Sequence, residues 1–257
     1  MEILDEVKKD FVIDLIRKNK RPDERDFLSY RPITIQKDVL TSTEGSALVK
    51  IGNSQVLVGI KMDKGTPFTD RPKEGILATN AELLPLASPT FELGPPDERS
   101  IELARVVDRG IRSSSAIDLK SLYIAENLVW AVFIDLYVLD HDGNLIDTAA
   151  LAAMAALLNT KQPKFEDGKV IRKEPMDKLK INARAVTCTF AKIDGKLVLD
   201  PCLDEETAMD ARLTIATDEN NICAMQKGCL GGFSADEVNQ LIGVSFEKGK
   251  ELRKLIE

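Results

Sequence analysis

Aromatic residues make up only 5% of the 257-residue sequence, with one tryptophan and three tyrosines. A surface that holds single strands mainly by stacking bases on aromatic rings is thereby disfavoured. There is one histidine, His141, and the four cysteines (Cys188, Cys202, Cys223, Cys229) form no C-x-x-C pair, so a Cys/His zinc site is not expected. In a reducing compartment such cysteines read as small, mostly buried apolar residues. Positive charge is also short: 35 Lys and Arg stand against 42 Asp and Glu, a formal charge of −7. A protein that coats nucleic acid without specificity is normally basic, because phosphate neutralisation supplies the affinity. Any nucleic-acid contact must therefore come from a local arginine cluster or from a partner chain. Long apolar runs are missing, and stretches such as 149–158 fall far short of a bilayer. The first twenty residues mix apolar and charged side chains, so the expectation is a cytoplasmic protein with no signal peptide and no membrane association. Neither G-x-G-x-x-G, nor G-x-x-x-x-G-K-[ST], nor G-x-S-x-G occurs, which removes the common nucleotide and hydrolase classes.

What is present is a globular composition, 44% apolar and 30% charged, on a chain long enough for one large domain or two modest lobes. Leu4, Val7, Phe11, Leu15 and Ile16 recur at helical spacing and predict an amphipathic opening helix. Arg-Pro at 21–22 and at 31–32 breaks the chain. Strand-like runs at 33–40, 46–51 and 55–62 are separated by turn residues and read as an antiparallel meander. The stretch 63–75 reads as a long exposed loop and 76–84 as a strand. Gly94-Pro95-Pro96-Asp97 then precedes a helix over 98–113. Strands follow at 122–124 and 129–139, the latter alternating Trp130, Val132, Ile134, Leu136 and Val138 on one face. An alanine-rich helix over 145–159 has small side chains suited to close packing. A charged segment containing Pro163, Gly168 and Pro175 reads as a connection. Beyond it come a hairpin at 183–192 and 196–199 around Asp194-Gly195, and strands at 212–217 and 222–227. A final helix is capped by Ser234 with Glu237 three residues on, and its core face is Val238, Leu241, Ile242, Ser245, Leu252 and Ile256. The expected fold is α+β: two sheet-plus-helix lobes with mostly antiparallel strands, at 28–162 and 183–257, after a lead-in at 1–27 and joined by 163–182.

Three constellations could carry chemistry. On the helix over 98–113, Arg105, Arg109 and Arg112 stand at i, i+4 and i+7 and share one stripe. Guanidinium groups donate bidentately to phosphate, which suits a passing strand. The same pattern also describes a solvated face in which Glu102 pairs with Arg105 and Asp108 with Arg112. The acidic run Asp200-Pro201-Cys202-Leu203-Asp204-Glu205-Glu206 could hold magnesium if its oxygens converged, but reads more simply as a solvated loop. His141 reads as a surface turn residue and Trp130 as core.

Arg21-Pro22-Asp23-x-Arg25, Arg31-Pro32-Ile33 and Gly45-Ser46-Ala47 together resemble the opening of the RNase PH family. The stretch Arg99-Ser100-Ile101-Glu102-Leu103-Ala104-Arg105-Val106-Val107-Asp108-Arg109 is similar to that family's central helix. Leu199-Asp200-Pro201-x-x-x-Glu205-Glu206 resembles its non-catalytic exosome branch, in particular the RNase PH-type ring subunit of the archaeal exosome. Active members carry a Gly-[Ser/Thr]-Arg motif that opens the helix after the long strand and grips inorganic phosphate. The matching stretch here, Gly143-Asn144-Leu145-Ile146-Asp147, has no arginine, and Asp147 would repel phosphate. Arg212 falls near the place of the active members' aspartate, with Asp210 close by. The resemblance thus implies a chain without catalytic residues, cofactor or metal. It would scaffold an alternating six-membered ring with a catalytic homologue, three pairs in all, beneath RNA-binding cap subunits. The assembly would degrade single-stranded RNA 3′ to 5′ by phosphorolysis. The resemblance also implies that Arg105 and Arg109, and more weakly Arg112, Lys64 and Arg71, line the RNA path. Two other readings stay open: an active phosphorolytic exoribonuclease using Asp210 or the Asp204–Glu206 cluster, and a structural protein that binds no RNA.

Overall fold

The computed structural model describes residues 2–172 and 177–257, with side chains from residue 6 onward. The side chain of Leu4, and Pro175, lie outside what is described. Helix α1 (Glu2–Arg17) opens the chain. Its buried stripe is Val12 and Ile16, packed on Ala191, Ile193, Val198 and Ala208, whereas Val7 and Phe11 are exposed. Two apolar stripes one residue apart overlap on this helix. Only contact with the second sheet decides between them, and it selects 12 and 16.

Strands β1 (Ile33–Lys37), β2 (Gly45–Ile51) and β3 (Ser54–Gly65) form the expected antiparallel meander. β4 (Ile76–Leu83) leads through α2 (Glu98–Ser113) to β5 (Tyr123–Ala125) and the long β6 (Leu128–Asp140). The sheet order is β1-β2-β3-β6-β4, with β5 also on β6. Every pairing in it is antiparallel except β4 with β6, which run parallel because α2 returns the chain to the starting end. The alternating face of β6 is core: Trp130, Val132, Ile134, Leu136 and Val138 are all buried.

Helix α3 (Leu145–Asn159) is buried from Ile146 through Leu157. It packs on β2 and β3 on one side and on the second sheet on the other. A helix enclosed on all sides needs small residues, and its alanines supply them. At Gly45 a β-carbon would come within 2.6 Å of the Ala156 carbonyl oxygen, so only glycine lets β2 pass the end of α3.

The segment after α3 folds back as a hairpin, β7 (Lys164–Glu166) and β8 (Lys169–Ile171), whose Phe165 meets Trp130 edge-on at 6.3 Å. The second sheet has the order β10-β9-β11-β12, all antiparallel, from β9 (Val186–Ile193), β10 (Lys196–Leu199), β11 (Ala211–Thr217) and β12 (Ile222–Gly228). A short helix α4 (Leu203–Ala208) occupies the acidic run. Helix α5 (Ala235–Leu255) starts on the predicted capping box: the Ser234 hydroxyl accepts from the Glu237 amide, and the Glu237 carboxylate accepts from the Ser234 amide. On its predicted core face Leu241, Ser245, Leu252 and Ile256 are buried, with Val238 and Ile242 at the margin. The fold is α+β, and one apolar core runs through both sheets and α3.

Candidate functional site

Asp97 caps α2, its carboxylate accepting from the Ser100 amide at 2.8 Å. Leu103, Val107, Gly110 and Ile111 face the core. The opposite phase puts Arg105, Arg109 and Arg112 in solvent, beside a shallow groove walled by Ala78 and Thr79 of β4. The three arginines differ. Arg105 has no hydrogen-bond or ionic partner among the described residues. Arg109 Nη1 donates to Gln226 Oε1 of β12 at 2.8 Å. Arg112 Nε and Nη2 donate to the Asp108 carboxylate at 2.9 Å, and Nη2 also to the Leu77 carbonyl at 3.1 Å. Of the two pairings expected for a solvated face, Asp108–Arg112 forms. Glu102–Arg105 does not, because Glu102 is taken by Arg212 of β11. Lys64 donates to the Gly168 carbonyl and Arg71 pairs with its neighbour Asp70.

A cleft of about 120 Å³ opens where α2, the start of α3 and β11 meet. His141 lies in its wall and is not a surface turn residue. It is half-buried and stacked on Phe91 with ring centroids 5.3 Å apart, and burial pushes its pKa below the ordinary value. Arg99 also lies over the Phe91 ring, 5.0 Å from its centroid, and donates to Asp97 at 2.9 Å. Arg212, near the place where the resemblance puts an aspartate in active members, also lines the cleft and is matched by Glu102. Glu206 accepts from the Asn144 amide at the opening of α3 at 2.8 Å, and burial pushes its pKa up to about 7. Both cations in the cleft are thus committed to carboxylates, and a third carboxylate occupies the amide end of α3 that would otherwise attract an anion.

The acidic run is not a solvated loop. Its carboxylates diverge: Asp204 reaches Lys8 on α1 at 3.1 Å, Glu205 is buried against Arg21, and Glu206 turns to the cleft. Divergence removes the magnesium reading, and among the described residues no cluster of three or more His, Cys, Asp or Glu is placed to hold a metal. Asp210 accepts from the Asp194 amide at the β9–β10 turn and is not part of the cleft lining.

The arginines of the opening motifs turn inward. Arg21 makes a bidentate pair with Glu205 (2.8 and 2.6 Å) and donates to the Leu199 and Asp200 carbonyls. Asp200, fully buried, accepts from Arg25 Nη1 (2.7 Å), from Arg31 N, Nε and Nη2 (2.9, 2.9 and 2.8 Å) and from Asn144 Nδ2 (2.7 Å). Burial alone would raise its pKa, but the Arg31 and Arg25 guanidinium groups hold it below the usual carboxylate range. One turn into α3, Asp147 is buried and accepts five hydrogen bonds: from Tyr30 Oη (2.9 Å), Asn144 Nδ2 (3.0 Å), Thr187 Oγ1 (2.8 Å), and Thr189 N and Oγ1 (2.8 and 2.7 Å). Asp147 is therefore turned away from the cleft and pins α3 to β9. Sequence reading missed these roles, since nothing in a one-dimensional pattern pairs Arg21 with Glu205.

Known proteins place this geometry. The model of domain 1 of the 3′ exoribonuclease family (RNase PH) matches residues 29–163, and that of domain 2 matches 183–248. A relative from Pyrococcus furiosus named "Exosome complex component Rrp42" is 51% identical over 261 residues, covering 99% of this chain and 94% of that protein. One of the same name from Methanothermobacter thermautotrophicus is 49% identical, over 98% of this chain and 95% of that protein. Among solved structures, a chain of the Archaeoglobus fulgidus exosome with RNA bound to the active site matches with a TM-score of 0.93 and 46% identity, over 99% of this chain and all of that one. A chain of an archaeal exosome core matches at 0.88 and 41%, over 99% of this chain and 98% of that one. With both domains matched in order and the backbone shared nearly end to end, the chain belongs to the RNase PH (3′ exoribonuclease) family.

Proposed function

We propose that this chain is a non-catalytic ring subunit of an archaeal-type cytoplasmic exosome. It alternates with a catalytic RNase PH-type homologue as a trimer of heterodimers beneath RNA-binding cap subunits, and it guides single-stranded RNA toward the partner's active site. Full-length similarity to proteins named as exosome components supports the assembly. The observation that carries the non-catalytic reading is the state of the α3 opening. The stretch that opens α3 has no arginine, its Asp147 faces inward on five donors, and Arg99 and Arg212 in the adjoining cleft are already neutralised. Phosphorolysis passes the terminal nucleotide to inorganic phosphate and releases a nucleoside diphosphate, so a site with no free cation for phosphate lacks its co-substrate. The competing reading, an active enzyme, finds one support in Glu206, whose pKa of about 7 suits a general acid or base.

An assay separates the two. The pure chain, incubated with RNA in phosphate buffer, is expected to release no nucleoside diphosphates, while a complex with a catalytic homologue does. Phosphate-dependent shortening by the pure chain would make it an enzyme.

The guide role rests on Arg105 and Arg109, one helical turn apart and without a carboxylate partner among the described residues, with Arg112 as a lesser contributor because Asp108 already neutralises it. Each phosphate neutralised on a single strand gives a slope of roughly −0.7 in log affinity against log salt. In the reconstituted complex, Arg105→Ala with Arg109→Ala is expected to flatten that slope by about 1 to 1.5 and to weaken binding alike for all sequences. Ring assembly should persist, since exposed helix charges contribute little to stability. An unchanged slope in intact rings would leave the stripe a solvent face, and dissociated rings would make it a subunit interface.

A further inference from the structure

Arg109 and Arg112 are both held, but by different chemistry. Arg112 is clamped by the carboxylate of Asp108, which cancels its charge. Arg109 is held by a neutral amide, Gln226, which fixes the guanidinium through Nη1 and leaves its charge intact. Gln226 comes from β12, the edge strand of the second sheet, and lies opposite Thr214 of β11. Two residues before Thr214, on the same face of β11, Arg212 reaches Glu102 of α2. That sheet face therefore meets α2 at two points, and only the Gln226 contact lies on the arginine stripe.

We propose that Gln226 is a positioning residue for RNA: it orients Arg109 without neutralising it, and so carries the RNA path from α2 onto the edge strand of the second lobe. An unheld arginine loses side-chain freedom when it binds phosphate, and a side chain already held loses less. A carboxylate at 226 would hold Arg109 equally well and cancel the charge that attracts the strand. The proposal rests on the guide role of Arg109, and the experiment tests the two separately.

The experiment uses the reconstituted complex with its catalytic homologue and a fluorescent single-stranded oligoadenylate, with affinity measured across a salt series. Gln226→Ala is expected to weaken binding about threefold to tenfold, the range for one neutral hydrogen bond, with the salt slope unchanged. Gln226→Glu is expected to flatten the slope by about 0.7, as Arg109→Ala does, because one phosphate contact is cancelled. In the Arg109→Ala background, Gln226→Ala should have no further effect, since an orienting residue has nothing left to orient. Additive losses in the double variant, or wild-type affinity in Gln226→Ala, would overturn the positioning role. Should Arg109→Ala itself leave the slope unchanged, the guide role fails, and the positioning role with it.

Discussion

Replacing Asp200 with alanine is expected to lower the unfolding free energy by roughly 3–5 kcal/mol, the range for removing one partner of a buried ion pair. The carboxylate takes five donors, four of them from Arg25 and Arg31, and its removal leaves the side chain of Arg31 buried with, among the described residues, only the Asp142 and Gly143 carbonyls and the partly exposed carboxylate of Asp142. Denaturant unfolding of the purified variant measures the loss, and a change below about 1 kcal/mol would show that the network relaxes or admits water. The pH dependence has a defined sign. Asp200's folded-state pKa is depressed, so its stabilisation is present above the unfolded carboxylate value near 4 and is lost as pH falls through the lower folded value. Below about pH 4 the wild type should lose stability more steeply than Asp200→Asn, which has no proton to take up at that position.

Asp147→Arg, which reverses the charge at a buried position at the start of α3, is expected to destroy the fold. Its side chain would sit among five donors aimed at a buried acceptor, from Tyr30, Asn144, Thr187 and Thr189. A buried charge reversal of this kind is expected to cost about 5 kcal/mol or more, against about 1–3 kcal/mol for Asp147→Asn, which keeps the shape and one acceptor oxygen. Soluble yield and urea unfolding of the two variants are the measurements. A folded Asp147→Arg protein with near wild-type stability would show that the position can still turn outward. If the expected result holds, the inward carboxylate is what joins α3 to the second sheet.

Where the physics is local, the sequence was legible. Asp97 before an amphipathic run set the start of α2, and Ser234 with Glu237 set the start of α5, because a cap and its helix lie within four residues. The alanine-rich run gave α3 its full length, and the period-two pattern of β6 gave the core face. The spacing of Arg105, Arg109 and Arg112 placed them on one exposed stripe for the same reason. Family membership was legible as well, because short motifs in a fixed order survive whatever role each residue plays.

What the tertiary structure decided involves partners far apart in the chain. Arg21 and Glu205 are 184 residues apart, and Arg31 and Asp200 are 169 apart. No periodicity connects them, so charges that read as a solvated loop proved to be the buried joint between the lobes. The same holds for His141, drawn into the cleft wall by Phe91, for Glu102, taken from Arg105 by Arg212, and for α1, whose buried stripe only the second sheet could select. The sequence by itself determined most of the helices and strands, though neither α4 nor the β7–β8 hairpin, and that the stretch opening α3 has no arginine. Only the folded chain decided which charges are spent on one another and which, as at Arg105 and Arg109 among the described residues, meet no carboxylate, because a charge is neutralised by what lies within a few ångströms of it and not by what lies next to it in the chain.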